Sequence, residues 1–287
     1  MQIVTLTTDL GLKDHYVGAL KGQLLSQKSD IQIIDISHNV EPFNIVEAVY
    51  YINNIVESFP VGTVHFIGVD SVPDISIDSH RTNKYPILMK LKGQYFIGND
   101  NGVFTLLKDF HLAEEIVRLD FSSKNIFRHP FKNIYVPAII KILNDQKLHH
   151  IGESIEVKDL NRALITQALI NEHEIKGTVI HVDNYENVII NVTEGLFSKI
   201  GKGNPFTIYF RSKNYFIDRI SENYNEVPIG EKLALFNENE WLEIAINKGT
   251  KLTGGGASSL LGLKKNDVIR IEFHPPGSKN KIDDLFT

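Results

Sequence analysis

The sequence contains no cysteine, and this absence excludes disulfide bonds, thiolate metal ligands and a cysteine nucleophile together. It also lacks an excess of basic residues: 30 Lys and Arg against 35 Asp and Glu give a net charge of -5. This charge gives no indication of binding to nucleic acid or to an anionic membrane. No apolar run approaches the roughly 18 residues that a membrane-spanning helix needs. The remaining composition, 42% hydrophobic and 23% charged, is typical of a globular protein, and we expect a cytoplasmic location.

The two halves of the 287-residue chain have different patterns, and the length suffices for two domains of ordinary size. Residues 1–160 alternate apolar runs with amphipathic stretches, which predicts an N-terminal α/β domain with a mostly parallel central sheet. Residues 175–287 consist of short alternating runs between turn residues, which predicts a smaller C-terminal β-barrel domain, with a sandwich as the alternative. The polar stretch 161–174 is predicted to be the linker.

Within the first half, the apolar periods predict individual elements. The stretches IVTLTTD, IQIIDIS and GTVHFIGVD predict strands, and YPILMKLKGQYFIGND predicts a hairpin that turns at Lys92 and Gly93. Helices are predicted for DHYVGALKGQLLSQ, NIVEAVYYINNIVESF, NGVFTLLKDF and NIYVPAIIKILNDQ. The second half shows almost no helical pattern.

Polar residues follow the predicted strands at the points where the strands end. Asp9 and Asp70 each follow an apolar run, and Asn99–Asn101 ends the predicted hairpin. Ligands in open α/β sheets bind beyond the carboxyl ends of the strands. One such aspartate is explained as a helix cap or a turn residue, whereas several at one sheet edge favour a ligand site. His38, after the second strand, fits a hydrogen-bonded loop residue better than a general base.

The second half contains one dense polar cluster, VDNYENVIINV, in which Asp183 and Asn187 flank a tight turn. Such a pair suits an amine, a hydroxyl or an amide edge, but a hairpin loop rich in Asn and Asp needs no ligand, and both interpretations stay open. The stretch TGGGASSLLGL lacks the Lys-Ser/Thr ending of a phosphate loop, although its amides suit a carboxylate. The histidines lack helical metal-ligand spacing, so we expect no metal.

The stretch TTDLGLKDHYVGALKG resembles the opening signature of the S-adenosylmethionine (SAM) hydrolases that form adenosine. This SAM hydroxide adenosyltransferase family is related to the SAM-dependent fluorinase and chlorinase, and here Leu10 stands where the signature has Phe. The resemblance continues in order through DISHNVEPFNIVEA, GTVHFIGVD, GQYFIGNDNG, NIYVPA, GTVIHVDNYENVIINV, LEIAINKG and LLGLKKNDVIRIEF. It therefore covers almost the whole chain.

The resemblance implies a fold, an assembly and a substrate. The family has a larger N-terminal α/β domain and a small C-terminal β-barrel, and its members are homotrimers. SAM binds as a substrate, with no cofactor, between the N-domain of one subunit and the C-domain of the next. The family's ribose-binding aspartate falls on Asp9, and its residues for the methionine amine and the adenine fall on Asp183 and Asn187.

The reaction that the resemblance implies is attack of water or hydroxide on C5′ of the ribose, which gives adenosine and L-methionine. The family positions its nucleophile with an Asp-Arg-His set, for which this chain offers Asp70, Arg81 and His129. The chain reads DSVPDISIDSHR where the family has Asp-Pro-Gly-Val-Gly before the arginine, and RHPFKN where it has Phe-His-Gly-Arg-Asp. These departures leave open a nucleoside- or SAM-binding protein without water activation, while a SAM-dependent halogenase is disfavoured because RHPFKN lacks the halogenases' serine-bearing loop.

Overall fold

The computed structural model divides into two compact units, Met1–Leu164 and Ile165–Thr287. No described helix is both long and apolar enough to cross a membrane. The residues that the structure describes are 2–75, 83–120, 128–163, 166–210 and 212–278.

The first unit is built on a sheet whose strand order is β2-β1-β3-β5-β4-β6-β7 among the described residues. Its strands are β1 Gln2–Thr8, β2 Ile31–Ser37, β3 Val64–Gly68, β4 Pro86–Leu91, β5 Gln94–Asn99, β6 Glu115–Leu119 and β7 Gly152–Ser154. Strands β2, β1, β3 and β5 are parallel, whereas β4, β6 and β7 each pair antiparallel with their neighbours. The carboxyl ends of the four parallel strands therefore meet at one edge of the sheet.

Helices cover both faces of this sheet because each has an apolar stripe. The helices are α1 Tyr16–Gln27, α2 Ile45–Ile55 and α3 Val136–Leu143. Leu20 and Leu24 of α1 share one core with α3, and Val49 and Ile52 of α2 lie in a second core. Full burial of a leucine such as Leu24 stabilises the fold by roughly 1.5–3 kcal/mol. The helices thus stabilise the sheet by packing on its two faces, and the loops lie at its carboxyl edge.

The structure confirms one detail of the predicted first half and corrects another. The hairpin of β4 and β5 is confirmed, with Lys92 and Gly93 in the left-handed conformation of its tight turn. The stretch NGVFTLLKDF was predicted as a helix, and this is wrong. It forms one 3₁₀ turn, Val103–Leu106, which ends because the backbone of Leu107 is extended (φ -63°, ψ 139°). A second 3₁₀ turn, Phe110–Leu112, begins only after Asp109, whose backbone is left-handed (φ 61°).

The second unit is a nearly closed barrel-like sheet with the strand order β12-β11-β15-β9-β10-β14-β13, and β8 pairs with β9. A bridge between Ile220 and Ala234 links the chain after β12 to β13 and almost closes it. The elements are β8 Leu169–Asn171, β9 Glu174–Val182, β10 Val188–Thr193, α4 Glu194–Gly201, β11 Phe206–Phe210, β12 Ser212–Ile217, β13 Lys232–Phe236, β14 Trp241–Ile246, α5 Ala257–Leu261 and β15 Val268–Phe273. The predicted fold class is confirmed, with two short helices added to the barrel.

Candidate functional site

Asp9 and Asp70 are brought together at the carboxyl edge of the first sheet. Each follows one of the adjacent parallel strands β1 and β3, and Asp9 Oδ2 accepts the backbone N–H of Asp70 at 3.2 Å. The same oxygen accepts the backbone N–H of Phe43, from the loop after β2, at 3.0 Å. No described residue donates to Asp9 Oδ1. The carboxylate is therefore oriented by two other loops and keeps one oxygen for a ligand.

Asp70 has a strained backbone and a cationic partner. Its φ of 45° lies in the left-handed region, which costs a non-glycine residue roughly 1–3 kcal/mol and is typical of functional sites. The Nζ of Lys84 lies 2.8 Å from Asp70 Oδ2. The side-chain amides of Asn99 and Asn101 donate to the Asp70 carbonyl oxygen at 3.1 and 3.2 Å. Asp70 is thus fixed by the strand-end asparagines that the sequence placed at this edge.

Lys84 is a site residue that sequence reasoning missed. A pair of backbone hydrogen bonds between Asp74 and Lys84, at 3.2 and 2.7 Å, returns the chain to the Asp70 loop. This pairing brings the lysine, 14 residues away in sequence, onto the Asp70 carboxylate. The Asp–Lys separation carries no recognisable motif, so only the fold of the loop reveals the ion pair.

The two other predicted catalytic residues have different outcomes. Arg81 lies outside the described residues. The His129 side chain is exposed and makes no hydrogen bond or ion pair with a described residue, while its carbonyl oxygen accepts the Asn133 N–H at 3.0 Å. The structure therefore brings Asp9 and Asp70 together but does not join His129 to them.

The segment after His129 is nevertheless tied to the Asp70 loop. It forms a π-helical turn, Phe131–Tyr135, ahead of α3, and such turns recur at functional sites. The buried Tyr135 hydroxyl donates to the carbonyl oxygen of Ser71 at 2.8 Å. Burial, followed by the nearby charge of Asp70, raises the pKa of Tyr135, so this phenol stays protonated and acts as a donor.

Asp183 and Asn187 are bonded to each other in the turn between β9 and β10. Asp183 Oδ1 accepts the backbone N–H groups of Tyr185 and Asn187, both at 2.8 Å, and its Oδ2 accepts the Asn187 Nδ2 at 3.0 Å. Asn187 is buried, and no described residue donates to its Oδ1. The hairpin explains this pair without a ligand, yet it leaves an amide oxygen available as an acceptor.

The glycine-rich stretch 253–263 binds a carboxylate of the chain itself. Glu186 Oε2 accepts the Gly256 N–H at 2.7 Å and the Ser259 hydroxyl at 2.5 Å. The hydrogen bond from Ser259, followed by that from Gly256, holds the pKa of Glu186 below its usual value. These donors are used within the protein, so the stretch is not a phosphate loop, and it joins the Asp183 turn to α5.

Glu243 is a buried acid that sequence reasoning also missed, since it lies in the apolar run WLEIAI of β14. The hydroxyl of Tyr224 donates to Glu243 Oε1 at 2.6 Å. Burial raises the pKa of Glu243, and the charge of Asp183 adds to the effect. The Asp183 turn therefore has a second acid in its electrostatic environment. Among the described residues, no group of three His, Asp or Glu side chains could hold a metal ion.

Two family models match the chain and cover most of its length. The SAM hydroxide adenosyltransferase N-terminal domain matches residues 4–152, and the C-terminal domain of the same name matches residues 177–270. With the two-part fold and the paired aspartates described above, this places the protein in a class of α/β-plus-barrel proteins. The chain belongs to the SAM hydroxide adenosyltransferase family.

Relatives cover nearly the whole chain at modest identity. A protein named (R)-S-adenosyl-L-methionine hydrolase from Methanocaldococcus jannaschii is 29% identical in an alignment 253 residues long, which covers 79% of this chain and 88% of that protein. A protein of the same name from Thermus thermophilus is 24% identical over 94% of this chain and all of its own length. A fluorinase from Actinopolyspora mzabensis is 22% identical over 85% of this chain and 90% of its own. The crystal structure of an uncharacterised conserved protein from Thermotoga maritima superposes with a TM-score of 0.73 at 27% identity, covering 94% of this chain and 99% of that one.

Proposed function

We propose that the protein is a SAM hydrolase, in which water or hydroxide attacks C5′ of the ribose to give adenosine and L-methionine. The observation that carries the proposal is the hydrogen-bonded pair of Asp9 and Asp70 at the sheet edge, in a chain whose relatives include SAM hydrolases. SAM is a cation at its sulfonium, and a site formed by carboxylates suits it electrostatically.

In this proposal Asp9 binds the ribose. Its Oδ2 is engaged by two backbone N–H groups, so its Oδ1 is the oxygen that a ribose hydroxyl reaches first. Hydrogen bonds to an ionised carboxylate are roughly twice as strong as neutral ones, so a carboxylate holds a ribose hydroxyl more tightly than a neutral acceptor would. Asp183 and Asn187 bind the methionine amine and the adenine, and no described residue donates to the Asn187 Oδ1.

Asp70 acts on the attacking water. The water oxygen forms a bond to C5′, the C5′–sulfur bond breaks, and its electron pair stays on the sulfur of a neutral methionine. The proton that the water loses passes to Asp70 and then to solvent. Alignment of water behind C5′ contributes on the order of 7–11 kcal/mol, and a general base adds typically ~10²–10⁴-fold.

Lys84 supplies a positive charge 2.8 Å from Asp70 Oδ2 and holds this carboxylate in place. Arg81 and His129 are proposed to assist on the strength of the family resemblance alone. Lys84→Arg is the conservative variant that keeps the charge at Asp70, and it should retain turnover.

The test is to incubate the pure protein with SAM and to follow adenosine and methionine by chromatography. Asp70→Ala should abolish adenosine formation, while Asp74→Ala, a change of an exposed aspartate in the same loop, should not. Nucleoside binding without turnover in the wild type would favour the binding-protein alternative. Adenosine formation that persists in Asp70→Ala would refute the role of Asp70.

We also propose that the protein is a homotrimer whose site is shared between subunits, as in the family. The support is that the ribose-binding and methionine-binding candidates fall in different units of the chain. A light-scattering mass near three times 32.5 kDa is the expected result. A mass of one chain would contradict it.

A further inference from the structure

A chain of polar contacts runs from the partly exposed side chains of Lys21 and Asp35 to the buried side chains of His38 and Thr8, directly beside Asp9. Thr8 Oγ1, at the end of β1, lies 2.8 Å from His38 Nδ1. His38 Nε2 lies 3.0 Å from Asp35 Oδ1, in an orientation that does not make a well-aligned hydrogen bond. Lys21 Nζ lies 2.5 Å from the other oxygen of Asp35. Thr8 and His38 are almost completely buried, so solvent does not supply these partners.

The chemistry of the partners fixes the direction of this chain. An ionised carboxylate only accepts, so the Nε2 that faces Asp35 carries the imidazole proton. In the neutral imidazole, His38 Nδ1 is then the acceptor, and the Thr8 hydroxyl donates to it. The lone pairs of Thr8 Oγ1 are left to accept the backbone N–H of Leu10, at 3.4 Å. His38 therefore sets the rotation of a hydroxyl that binds the residue after Asp9.

The backbone of the His38 loop engages the same turn from its other side. The His38 carbonyl oxygen accepts the N–H of Gly11 at 2.7 Å. The N–H of Val40 donates to the Thr8 carbonyl oxygen at 3.4 Å, and that of Phe43 donates to Asp9 Oδ2 at 3.0 Å. Asp9 thus lies between residues that are all fastened to the loop following β2.

We propose that His38, held by Asp35, is a positioning residue that orients the Asp9 carboxylate for the ribose. This inference rests on the proposed function, since it takes Asp9 as the sugar-binding group. His38 does not touch the substrate. It acts through Thr8 and the backbone of the turn, and its loss should loosen the turn and weaken nucleoside binding.

A Thr–His–Asp array also resembles an activated nucleophile, but the geometry does not fit that role. Thr8 has no exposed surface, and its hydroxyl already interacts with His38 and with the Leu10 amide. A nucleophile must reach the substrate. The array is therefore an orienting device and not a reacting group.

The same sheet contains a matched control. His65 on β3 is equally buried, and its Nδ1 lies 2.8 Å from Thr5 Oγ1, the same pairing at the same distance. Its Nε2 meets Gln94 Oε1 at 2.6 Å in place of an aspartate. Neither Thr5 nor Gln94 bonds to the turn around Asp9. Loss of His65 removes the same chemistry without touching the site.

The experiment compares His38→Phe with His65→Phe, since phenylalanine keeps the ring and removes both nitrogens. Amide hydrogen exchange at Leu10 and Gly11 and the dissociation constant for adenosine are measured in each, together with the melting temperature. We expect His38→Phe to speed exchange at both amides and to weaken adenosine binding about three- to tenfold. His65→Phe should lower the melting temperature without either effect.

Thr8→Val provides the same test if His38→Phe does not fold, and Thr8→Ser, which keeps the hydroxyl, should restore wild-type exchange. A ¹⁵N spectrum of the wild type should show a proton on His38 Nε2. Unchanged exchange at Leu10 and Gly11, or equal loss of affinity in His65→Phe, would overturn the inference. If the wild type binds no adenosine, the proposed function fails, while the exchange data still decide whether His38 orients the turn.

Discussion

Asp9 and Asp183 are both aspartates at a strand end, but their carboxylates are positioned in opposite ways. Asp9 uses one oxygen to bind backbone N–H groups 34 and 61 residues away, and no described residue donates to the other. Asp183 uses both oxygens within a turn of five residues, 183–187. The Asp9 carboxylate is therefore positioned by tertiary contacts through one oxygen, whereas the Asp183 carboxylate is positioned by its own turn through both oxygens.

This difference separates binding from folding. A carboxylate already satisfied by local N–H groups contributes mainly to the stability of its turn, and a ligand must share it with those donors. A carboxylate with an unused oxygen contributes mainly when a ligand donor arrives. We therefore expect substitutions of Asp9 to affect affinity first and substitutions of Asp183 to affect stability first.

The largest effect is expected for Asp9→Ala, which should weaken adenosine affinity by a free energy of roughly 1–3 kcal/mol. The diol would lose its acceptor, and the N–H groups of Phe43 and Asp70 would lose theirs. Isothermal titration with adenosine measures the change. Asp14→Ala, in an exposed position of the same turn, is the control and should bind like the wild type. Equal adenosine affinity in Asp9→Ala and Asp14→Ala would contradict the proposal that Asp9 binds the ribose.

The next effect is expected for Asp183→Ala, which should lower the free energy of unfolding by about 1–2 kcal/mol. The turn would lose the acceptor of three hydrogen bonds. Denaturant titration followed by circular dichroism measures the loss. Asn184→Ala, an exposed change in the same turn, should leave the stability within error. A stable Asp183→Ala protein that no longer binds SAM would show that Asp183 behaves like Asp9.

A pH-dependent effect is expected from Glu243, the buried acid near Asp183. Because its pKa is raised in the folded state, the folded protein binds this proton more tightly than the unfolded chain. Its contribution to stability is therefore present at low pH and decreases as pH rises from the unfolded pKa through the raised folded pKa. Glu243→Gln removes this term, so its stability relative to the wild type should increase with pH over that window. Parallel stability curves for the two proteins would contradict the shift.

The smallest effect on stability is expected for Lys84→Met, because the ion pair with Asp70 is partly exposed. Such pairs contribute about 0–1 kcal/mol, and the melting temperature should change little. Turnover should fall more clearly, because Asp70 loses the charge that holds it. Lys84→Arg should keep turnover. Wild-type turnover in Lys84→Met would contradict the proposed role of Lys84 in holding Asp70.

Much of the fold was predictable from local patterns. The period of Leu20 and Leu24 gave α1, and the alternation along β9 to β15 gave the barrel-like sheet. The prediction of a helix over NGVFTLLKDF was wrong, because its apolar residues follow a helical period while the backbone of Leu107 is extended and that of Asp109 is left-handed. Hydrophobic period reports burial, and backbone conformation in short segments is decided by their packing.

The candidate site was predictable in part. Asp9 and Asp70 could be placed at one edge because the carboxyl ends of parallel strands meet there. Lys84 and Glu243 could not, since the first reaches Asp70 through a loop pairing and the second is one acid in an apolar run. The sequence predicted that His38 is a hydrogen-bonded loop residue, but it did not identify the partners of the hydrogen bonds.

By itself the sequence determined the two kinds of sheet, the strand ends at which Asp9 and Asp70 lie and the turn that joins Asp183 to Asn187. These follow from side-chain periodicity and from hydrogen bonds between near neighbours, which are short-range effects. Only the tertiary structure decided that Lys84 meets Asp70, that His38 meets Thr8 and that one oxygen of Asp9 receives no hydrogen bond from the described residues. Those contacts join residues 14 to 61 positions apart, and their geometry depends on how whole loops pack at the sheet edge.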